Sequence, residues 1–186
     1  DATHGLMDGL PDAPLKKCWR LIYTSAADVS TLAASPISAL GGIYQDARDL
    51  PLIVNVIDSF PRALANLPPS LAAPLATSSR IKVQTRARPR SNTRVGLTFE
   101  AAELAPLSIL GQEAPDWLPS LRVPFPQLGL DLQRQIFGVS DDVDPRDADT
   151  NPSYFDVTYL DEDFLVIKQG SPGGMFAAVS VSDLSS

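Results

Sequence analysis

The chain has 186 residues, 44% hydrophobic and 20% charged, which predicts one folded domain with a substantial core rather than disorder. A formal net charge of −7 and a pI near 4.6 disfavour nucleic acid as a partner, because phosphate binding needs an excess of Lys and Arg. The single cysteine excludes an intrachain disulfide, and no apolar run approaches the roughly 20 residues of a membrane-spanning helix.

The first part of the chain predicts one strand, one helix and a hairpin. Residues 1–14 carry glycines and prolines with little periodicity, so we expect an irregular lead-in outside the core, followed by a single domain over residues 15–186. The stretch "KCWRLIYTS" alternates and predicts a strand. Residues 27–35 are rich in alanine and precede a proline, which indicates a short helix. "GGIYQDA" and "PLIVNVID" are rich in β-branched residues and predict a hairpin.

The middle of the chain combines strands with proline-rich connections. Residues 62–76 have a helical composition, but three prolines restrict them to a short helix or an apolar loop. "RIKVQTRARPR" and "TRVGLTFEAAEL" alternate and are joined by "PRSN", a favourable turn sequence, so they predict two further strands. Residues 104–129 contain five prolines and predict an extended, irregular segment, and "DDVDPRDADTN" predicts an acidic loop.

The C-terminal part predicts a three-stranded meander. "SYFDVTY" alternates, three acidic residues suit the turn that follows, and "FLVIKQ" and "MFAAVSV" continue on either side of "GSPGG". About eight short strands with few helices favour an antiparallel β-barrel or a β-sandwich. Closure into a barrel would remove the exposed strand edges.

Several stretches resemble the plastid lipid-associated protein or fibrillin family. In chain order they are "WRLIYTS", "GGIYQ" with "VNVID", "RVGLTF" and "TYLDEDFLVIKQGSPGGMFA", and together they span residues 17–181. This resemblance implies a mainly β, lipocalin-like barrel of about eight strands with one or two short helices. It also implies a plastid (chloroplast) protein associated with plastoglobules or thylakoids, which handles lipids or prenyl-lipids without known catalysis.

The residues that could carry catalysis or bind a metal are few. His4 is the only histidine and lies in the lead-in, so a catalytic triad would depend on a loosely held residue. Cys18 is expected to have a structural role, since free cysteines are among the most buried residue types. The acidic loop lacks the glycine and the terminal glutamate of an EF-hand, which favours a solvated loop over a calcium site. We therefore expect no enzyme, no metal and no cofactor.

Three groups of residues are candidates for binding. The first comprises apolar residues expected to point into the barrel, where they either fill it or line a ligand cavity: Trp19, Leu21, Tyr23, Val95, Leu97, Phe99, Phe155, Val157 and Tyr159. The second is a basic row at even-numbered positions, which is either the polar outer face of a strand or a surface for anionic lipid headgroups, a ligand diphosphate or an acidic partner: Arg80, Lys82, Arg86, Arg88, Arg90 and Arg94.

The third candidate is an apolar docking loop within residues 117–129, represented by Trp117, Leu121 and Phe125. Its prolines exclude a central strand and an uninterrupted helix, so it is expected at an edge of the barrel. There it would cover the barrel opening, insert into a lipid interface, contact a partner, or pack on the outer wall.

Two functional hypotheses follow. The first is a non-enzymatic plastid protein that binds or carries a hydrophobic molecule and docks peripherally on a thylakoid or plastoglobule surface. The second is a structural scaffold with a solid barrel whose outer surface binds a thylakoid protein complex or an enzyme. A cavity in the barrel favours the first hypothesis, and large exposed apolar patches favour the second.

Overall fold

A computed structural model describes residues 6–7, 13–26, 29, 34–124, 153–170 and 173–184. Two four-residue helices, α1 (Arg62–Ala65) and α2 (Pro69–Ala72), and a 3-10 turn (Ala73–Leu75) connect β3 and β4. In these ranges no helix has the length and apolarity needed to span a bilayer. The described strands are β1 (Cys18–Thr24), β2 (Ser38–Asp46), β3 (Leu52–Pro61), β4 (Ser78–Pro89), β5 (Arg94–Ile109), β6 (Gln112–Glu113), β7 (Leu121–Pro124), β8 (Tyr154–Leu160), β9 (Phe164–Gln169) and β10 (Gly174–Val181).

Eight of these strands form a closed antiparallel barrel. The order around the barrel is β1, β2, β3, β4, β5, β8, β9 and β10, and β10 pairs again with β1. The short strands β6 and β7 pair with β5 outside this ring. The structure confirms the predicted mainly β barrel and excludes the sandwich alternative, because pairing around the ring joins every strand of the barrel to two neighbours.

Most sequence-predicted segments correspond to the observed elements, but residues 104–129, which were expected to be irregular, contain the end of β5 and the strands β6 and β7. The predicted hairpins are β2–β3 and β4–β5, and the predicted meander is β8–β9–β10. Residues 62–76 form short helices, as their prolines require. The predicted helix over residues 27–35 lies almost entirely outside the described residues, as do His4 and the acidic loop over residues 141–151.

Antiparallel pairing gives the barrel two distinct ends. We call the end where β1, β3 and β5 begin the lower end, and the end where they finish the upper end. The main core lies towards the lower end, where Trp19, Phe155 and Leu165 are almost completely buried. The indole Nε1 of Trp19 donates a hydrogen bond to the carbonyl oxygen of Leu15 at 3.0 Å, so the segment before β1 is held against the core.

The segment that we expected to lie outside the core contributes to it. Leu6 and Ala13 are each only 4% exposed and belong to the main core cluster. The expectation for residues 1–14 was wrong at these two positions, because periodicity detects strands and helices but not single apolar side chains that an irregular segment places against a core.

A second, smaller cluster lies on the opposite face of β1. It contains Cys18, Tyr44 and Val56, and Leu184 packs against it. Cys18 is 1% exposed, which confirms the expected burial of this residue. Burial raises the pKa of the Cys18 thiol, and the nearby Asp46 carboxylate raises it further. The thiol is therefore held in its neutral, less nucleophilic form.

Candidate functional site

The barrel encloses a cavity of about 190 Å³ above its core. Each of the eight barrel strands contributes to the wall, so the cavity depends on closure of the whole barrel. Its size exceeds the roughly 150 Å³ of an engineered apolar cavity that binds benzene. The lining residues are Trp19, Leu21, Val29, Ile43, Tyr44, Gln45, Asn55, Ile57, Val83, Leu97, Phe99, Ser153, Tyr154, Phe155, Leu165, Ile167, Gln169, Phe176 and Ala178.

The cavity is closed below and more accessible above. Trp19, Phe155 and Leu165 form its lower boundary and are at most 1% exposed. Leu21 and Phe176, which line it nearer the upper end, are half-buried. A ligand would therefore have its deepest contacts on the Trp19 side and would reach solvent through the upper end of the barrel.

Two amide side chains lie beside Trp19 in the lower wall of the cavity. Gln45 pairs across the sheet with Trp19 on one side and with Asn55 on the other. The Gln45 Nε2 group donates to Asn55 Oδ1 at 3.5 Å. We call this pair the amide pair. It is the polar part of the lower wall; Ser153 and Gln169 are polar residues of the wall nearer the upper end, and the remaining lining residues are mainly aliphatic and aromatic.

Most of the predicted interior residues face inward. Five of them line the cavity: Trp19, Leu21, Leu97, Phe99 and Phe155. Val95 and Val157 are buried in the main core. The alternation of "WRL", "VGLTF" and "FDV" therefore identified the interior face correctly in β1, β5 and the first part of β8.

Tyr23 and Tyr159 do not face inward, so the prediction was wrong for these two residues. They are 60% and 51% exposed. Each follows a β-bulge: the pairing of β1 with β10 shifts between Leu21 and Tyr23, and that of β8 with β9 shifts between Val157 and Tyr159. A bulge adds one residue to one strand and interrupts the period of two, so later side chains change faces.

The sequence analysis missed the contribution of five other strands, including β4, from which Val83 lines the cavity. Ile43 and Ile57 line the cavity from β2 and β3, and Ile167 and Phe176 line it from β9 and β10. The alternation in "IYQ" and "NVI" was a usable signal, because Gln45 follows Ile43 by two positions and Ile57 follows Asn55 by two. These positions share a face of the strand.

Three members of the basic row form ion pairs with acidic residues on neighbouring strands. Arg80 binds Asp58 through two contacts of 2.7 and 2.8 Å. Arg86 contacts Glu100 at 2.6 Å. Arg94 binds Asp156 at 2.7 and 2.9 Å, and this guanidinium lowers the pKa of the Asp156 carboxyl.

The other three members differ in exposure. Arg88 is exposed and Lys82 is half-buried, and neither forms an ion pair with a described residue. Arg90 is half-buried after the end of β4, and its backbone N–H donates to the carbonyl oxygen of Arg94 at 2.9 Å. The row is therefore an outer face in which much of the positive charge is neutralised within the protein.

Exposed apolar side chains concentrate towards the upper end of the barrel. Apart from Tyr159, the large apolar side chains found exposed in the described ranges lie on the upper parts of strands or on the connections there. We call this set the apolar rim: Ile22, Tyr23, Ile37, Leu67, Leu71, Leu75, Leu104, Ile109, Leu110, Trp117, Leu121 and Met175. The cavity and the apolar rim thus share one end of the protein.

Leu110 is an unusual member of the apolar rim. It forms the tight turn between β5 and β6 together with Gly111, and both residues have positive φ, 49° and 77°. Turns of this kind favour Asn, Asp and Gly, because a β-carbon is strained in the left-handed region. The sequence nevertheless places a leucine there, and its side chain is 63% exposed.

Two of the predicted docking-loop residues belong to the apolar rim. Trp117 is 79% exposed and Leu121 is 63% exposed. Leu121 begins β7, a four-residue strand that pairs with β5 outside the barrel ring, which confirms the expected edge position. Phe125 lies outside the described residues.

In the part of the chain that the structure describes, no group of three or more His, Cys, Asp or Glu side chains is arranged to hold a metal ion. A family model described as PAP_fibrillin matches residues 10–178, which covers most of the chain. No curated protein and no solved structure has a significant match to the chain.

Proposed function

The chain belongs to the PAP_fibrillin family, and from this premise we propose that it is a non-enzymatic plastid protein that holds a hydrophobic small molecule in its barrel and docks on a lipid surface. Family membership and the barrel fold are both consistent with a plastid lipid-associated protein. The observation that carries the proposal is the position of the cavity, which lies in the half of the barrel that ends in the apolar rim.

The size of the cavity limits how much of a ligand it can hold. Burial of about 150 Å² of apolar ligand surface contributes roughly 4 kcal/mol. Association itself costs about 4 kcal/mol or more in lost translational and rotational freedom. Contacts within the cavity are thus insufficient for tight binding, and the rest of the ligand must contact the apolar rim or remain among lipids. This balance suits a carrier that exchanges its ligand at a lipid surface.

The apolar rim is the surface that we propose contacts the lipid. Side chains such as Trp117 and Leu110 extend from loops and turns at this end, where they can insert shallowly without disturbing the barrel. The strained backbone at Leu110 supports the proposal, because a leucine at positive φ costs stability while 63% of its side chain remains exposed. Thylakoid and plastoglobule surfaces are the candidates that the family suggests.

A solid scaffold that binds a thylakoid complex or an enzyme is the second candidate. The cavity argues against a solid interior, but the exposed Arg88 on the outer wall provides charge for an acidic partner or anionic headgroups. We keep the basic row as a proposed secondary contact. It runs along the side of the barrel rather than around its upper end.

Native mass spectrometry of the gently purified protein tests the proposed cavity ligand. We expect an additional mass from a hydrophobic molecule. We expect it to be lost in Ala178→Leu, which places a larger side chain in the cavity, and retained in Ala177→Leu, which alters the neighbouring position on the outer face of β10. Absence of any bound lipid in the unmodified protein, even after incubation with plastid lipid extract, would contradict the carrier function.

A further inference from the structure

The amide pair is a polar site inside an apolar cavity. Each side-chain amide offers one carbonyl oxygen and two N–H donors. In the described part of the chain, the contact of 3.5 Å between Gln45 Nε2 and Asn55 Oδ1 is the only side-chain hydrogen bond that engages either residue. That distance is longer than the roughly 2.7–3.2 Å usual for an N–H···O bond in proteins. The pair therefore retains most of its capacity to bind another polar group.

The position of the pair determines which part of a ligand can reach it. Gln45 and Asn55 occupy the same cross-strand row as Trp19, at the closed side of the cavity. Ile43 and Ile57 lie two positions further along the same strands towards the upper end, and they make the wall above the pair apolar. A molecule with a polar head and an apolar tail satisfies both regions when its head is innermost.

The charge of the wall decides which head group is compatible. No acidic or basic side chain of a described residue lines the cavity. A carboxylate or phosphate at the amide pair would lose its hydration without gaining a countercharge, at a cost of several kcal/mol. A carbonyl or hydroxyl needs only hydrogen bonds, and the amide pair supplies both donors and acceptors.

We propose that Gln45 and Asn55 bind the neutral head of the ligand, a carbonyl or hydroxyl group, and so select neutral lipids over anionic ones. The inference rests on the proposed carrier function and specifies its ligand class. Gln45 and Asn55 are then the residues that determine specificity, while the aliphatic and aromatic side chains provide affinity.

Two probes with the same chain and different heads test this inference: 1-decanol and decanoate, below micelle-forming concentrations and at a mildly alkaline pH where the acid is ionised. The chain has two tryptophans, and Trp19 lines the cavity while Trp117 is exposed. In a Trp117→Phe parent, the fluorescence of Trp19 therefore reports on binding in the cavity.

The decisive variant is Gln45→Met with Asn55→Leu, which replaces both amides by apolar groups of similar shape and should preserve the fold. We expect the affinity for decanol to fall about tenfold, as the loss of two hydrogen bonds of about 0.7 kcal/mol each implies. The affinity for decanoate should not fall, because a carboxylate that remains at the upper opening contacts neither amide. Gln84→Met is the matched control, since Gln84 lies on the outer face of β4 and accepts from Arg122 at 2.7 Å.

The outcomes separate this inference from the function on which it rests. If decanol binds the parent and the double variant equally well, the role of the amide pair is refuted and the carrier function stands. If neither probe changes the fluorescence of the parent, the carrier function fails and the inference fails with it. If the double variant does not fold, Asn55→Leu alone gives the same comparison with about a threefold expected loss.

Discussion

Replacing Leu110 by asparagine should change stability and lipid association in opposite directions. Leu110 has φ 49°, in the left-handed region, and its side chain is 63% exposed. Asparagine tolerates this backbone conformation better than leucine does, so the variant should gain about 0.5–1 kcal/mol of stability. For a protein of this size that gain raises the melting temperature by about 1–4 °C.

The same substitution removes apolar surface from the apolar rim. Full burial of a leucine side chain contributes about 1.5–3 kcal/mol, and the exposed 63% of Leu110 corresponds to about 1–2 kcal/mol. Partitioning onto lipid vesicles should therefore weaken roughly 5- to 30-fold. Vesicles of zwitterionic phosphatidylcholine are suitable, because their lack of net charge removes the contribution of the basic row.

A vesicle flotation assay and a thermal melt measure the two effects on the same samples. Leu110→Ala is the matched control: it removes the apolar side chain and keeps a β-carbon at positive φ, so it should weaken partitioning without raising the melting temperature. The turn itself should persist in both variants, since the backbone N–H of Gly111 donates to the Ala76 carbonyl oxygen at 2.7 Å. A more stable Leu110→Asn variant that partitions as well as the unmodified protein would refute docking through the rim. A less stable one would refute the argument from backbone strain.

Three further predictions concern the core and the titrating groups. Leu165→Ala should lower the free energy of unfolding, measured by urea denaturation, by about 2–5 kcal/mol, because Leu165 is 1% exposed. Leu121→Ala, at a side chain that is 63% exposed, should change it by no more than about 0.5 kcal/mol. Equal effects of the two substitutions would contradict the assigned core. Cys18 should react with a thiol reagent at least about a hundredfold more slowly in the native protein than in denaturant, because it is 1% exposed and burial raises its pKa. Rapid labelling of the native protein would show that β1 separates readily from its neighbouring strands. The hydrogen bond from Arg48 lowers the pKa of Asp46 below its usual value of 3.8, so the pair stabilises the fold above that pH and the contribution is lost as the pH falls through the lowered pKa. Asp46→Asn should accordingly lower the free energy of unfolding by less than about 1 kcal/mol at neutral pH, since the pair is partly exposed. The difference in melting temperature between the variant and the unmodified protein should vanish in acid. A difference that persists at low pH would assign the effect to packing instead.

Local sequence pattern was sufficient to locate the eight barrel strands and the inward faces of three of them, β1, β5 and the first part of β8. Alternation over a few residues reflects the geometry of a single strand, so "WRL" placed Trp19 and Leu21 on the interior face before any partner strand was known. The prolines likewise determined that residues 62–76 form only short helices and that the strand beginning at Leu121 lies at an edge.

The faces of Tyr23 and Tyr159 were decided by pairing between strands. A bulge arises when one strand advances by two residues while its partner advances by one, so it depends on residues that are distant in the chain. The ion pairs of the basic row have the same origin. Asp58 and Arg80 are neighbours only because β3 and β4 pair in this register.

The cavity also belongs to the tertiary structure. Whether a barrel interior is filled depends on the summed volumes of side chains from all eight strands, and no single strand carries that information. Gln45 and Asn55 were two separate polar residues in the sequence. The pairing of β2 with both β1 and β3 brings them together beside Trp19, because its register aligns the three residues in one row, and closure of the barrel leaves an apolar space above them.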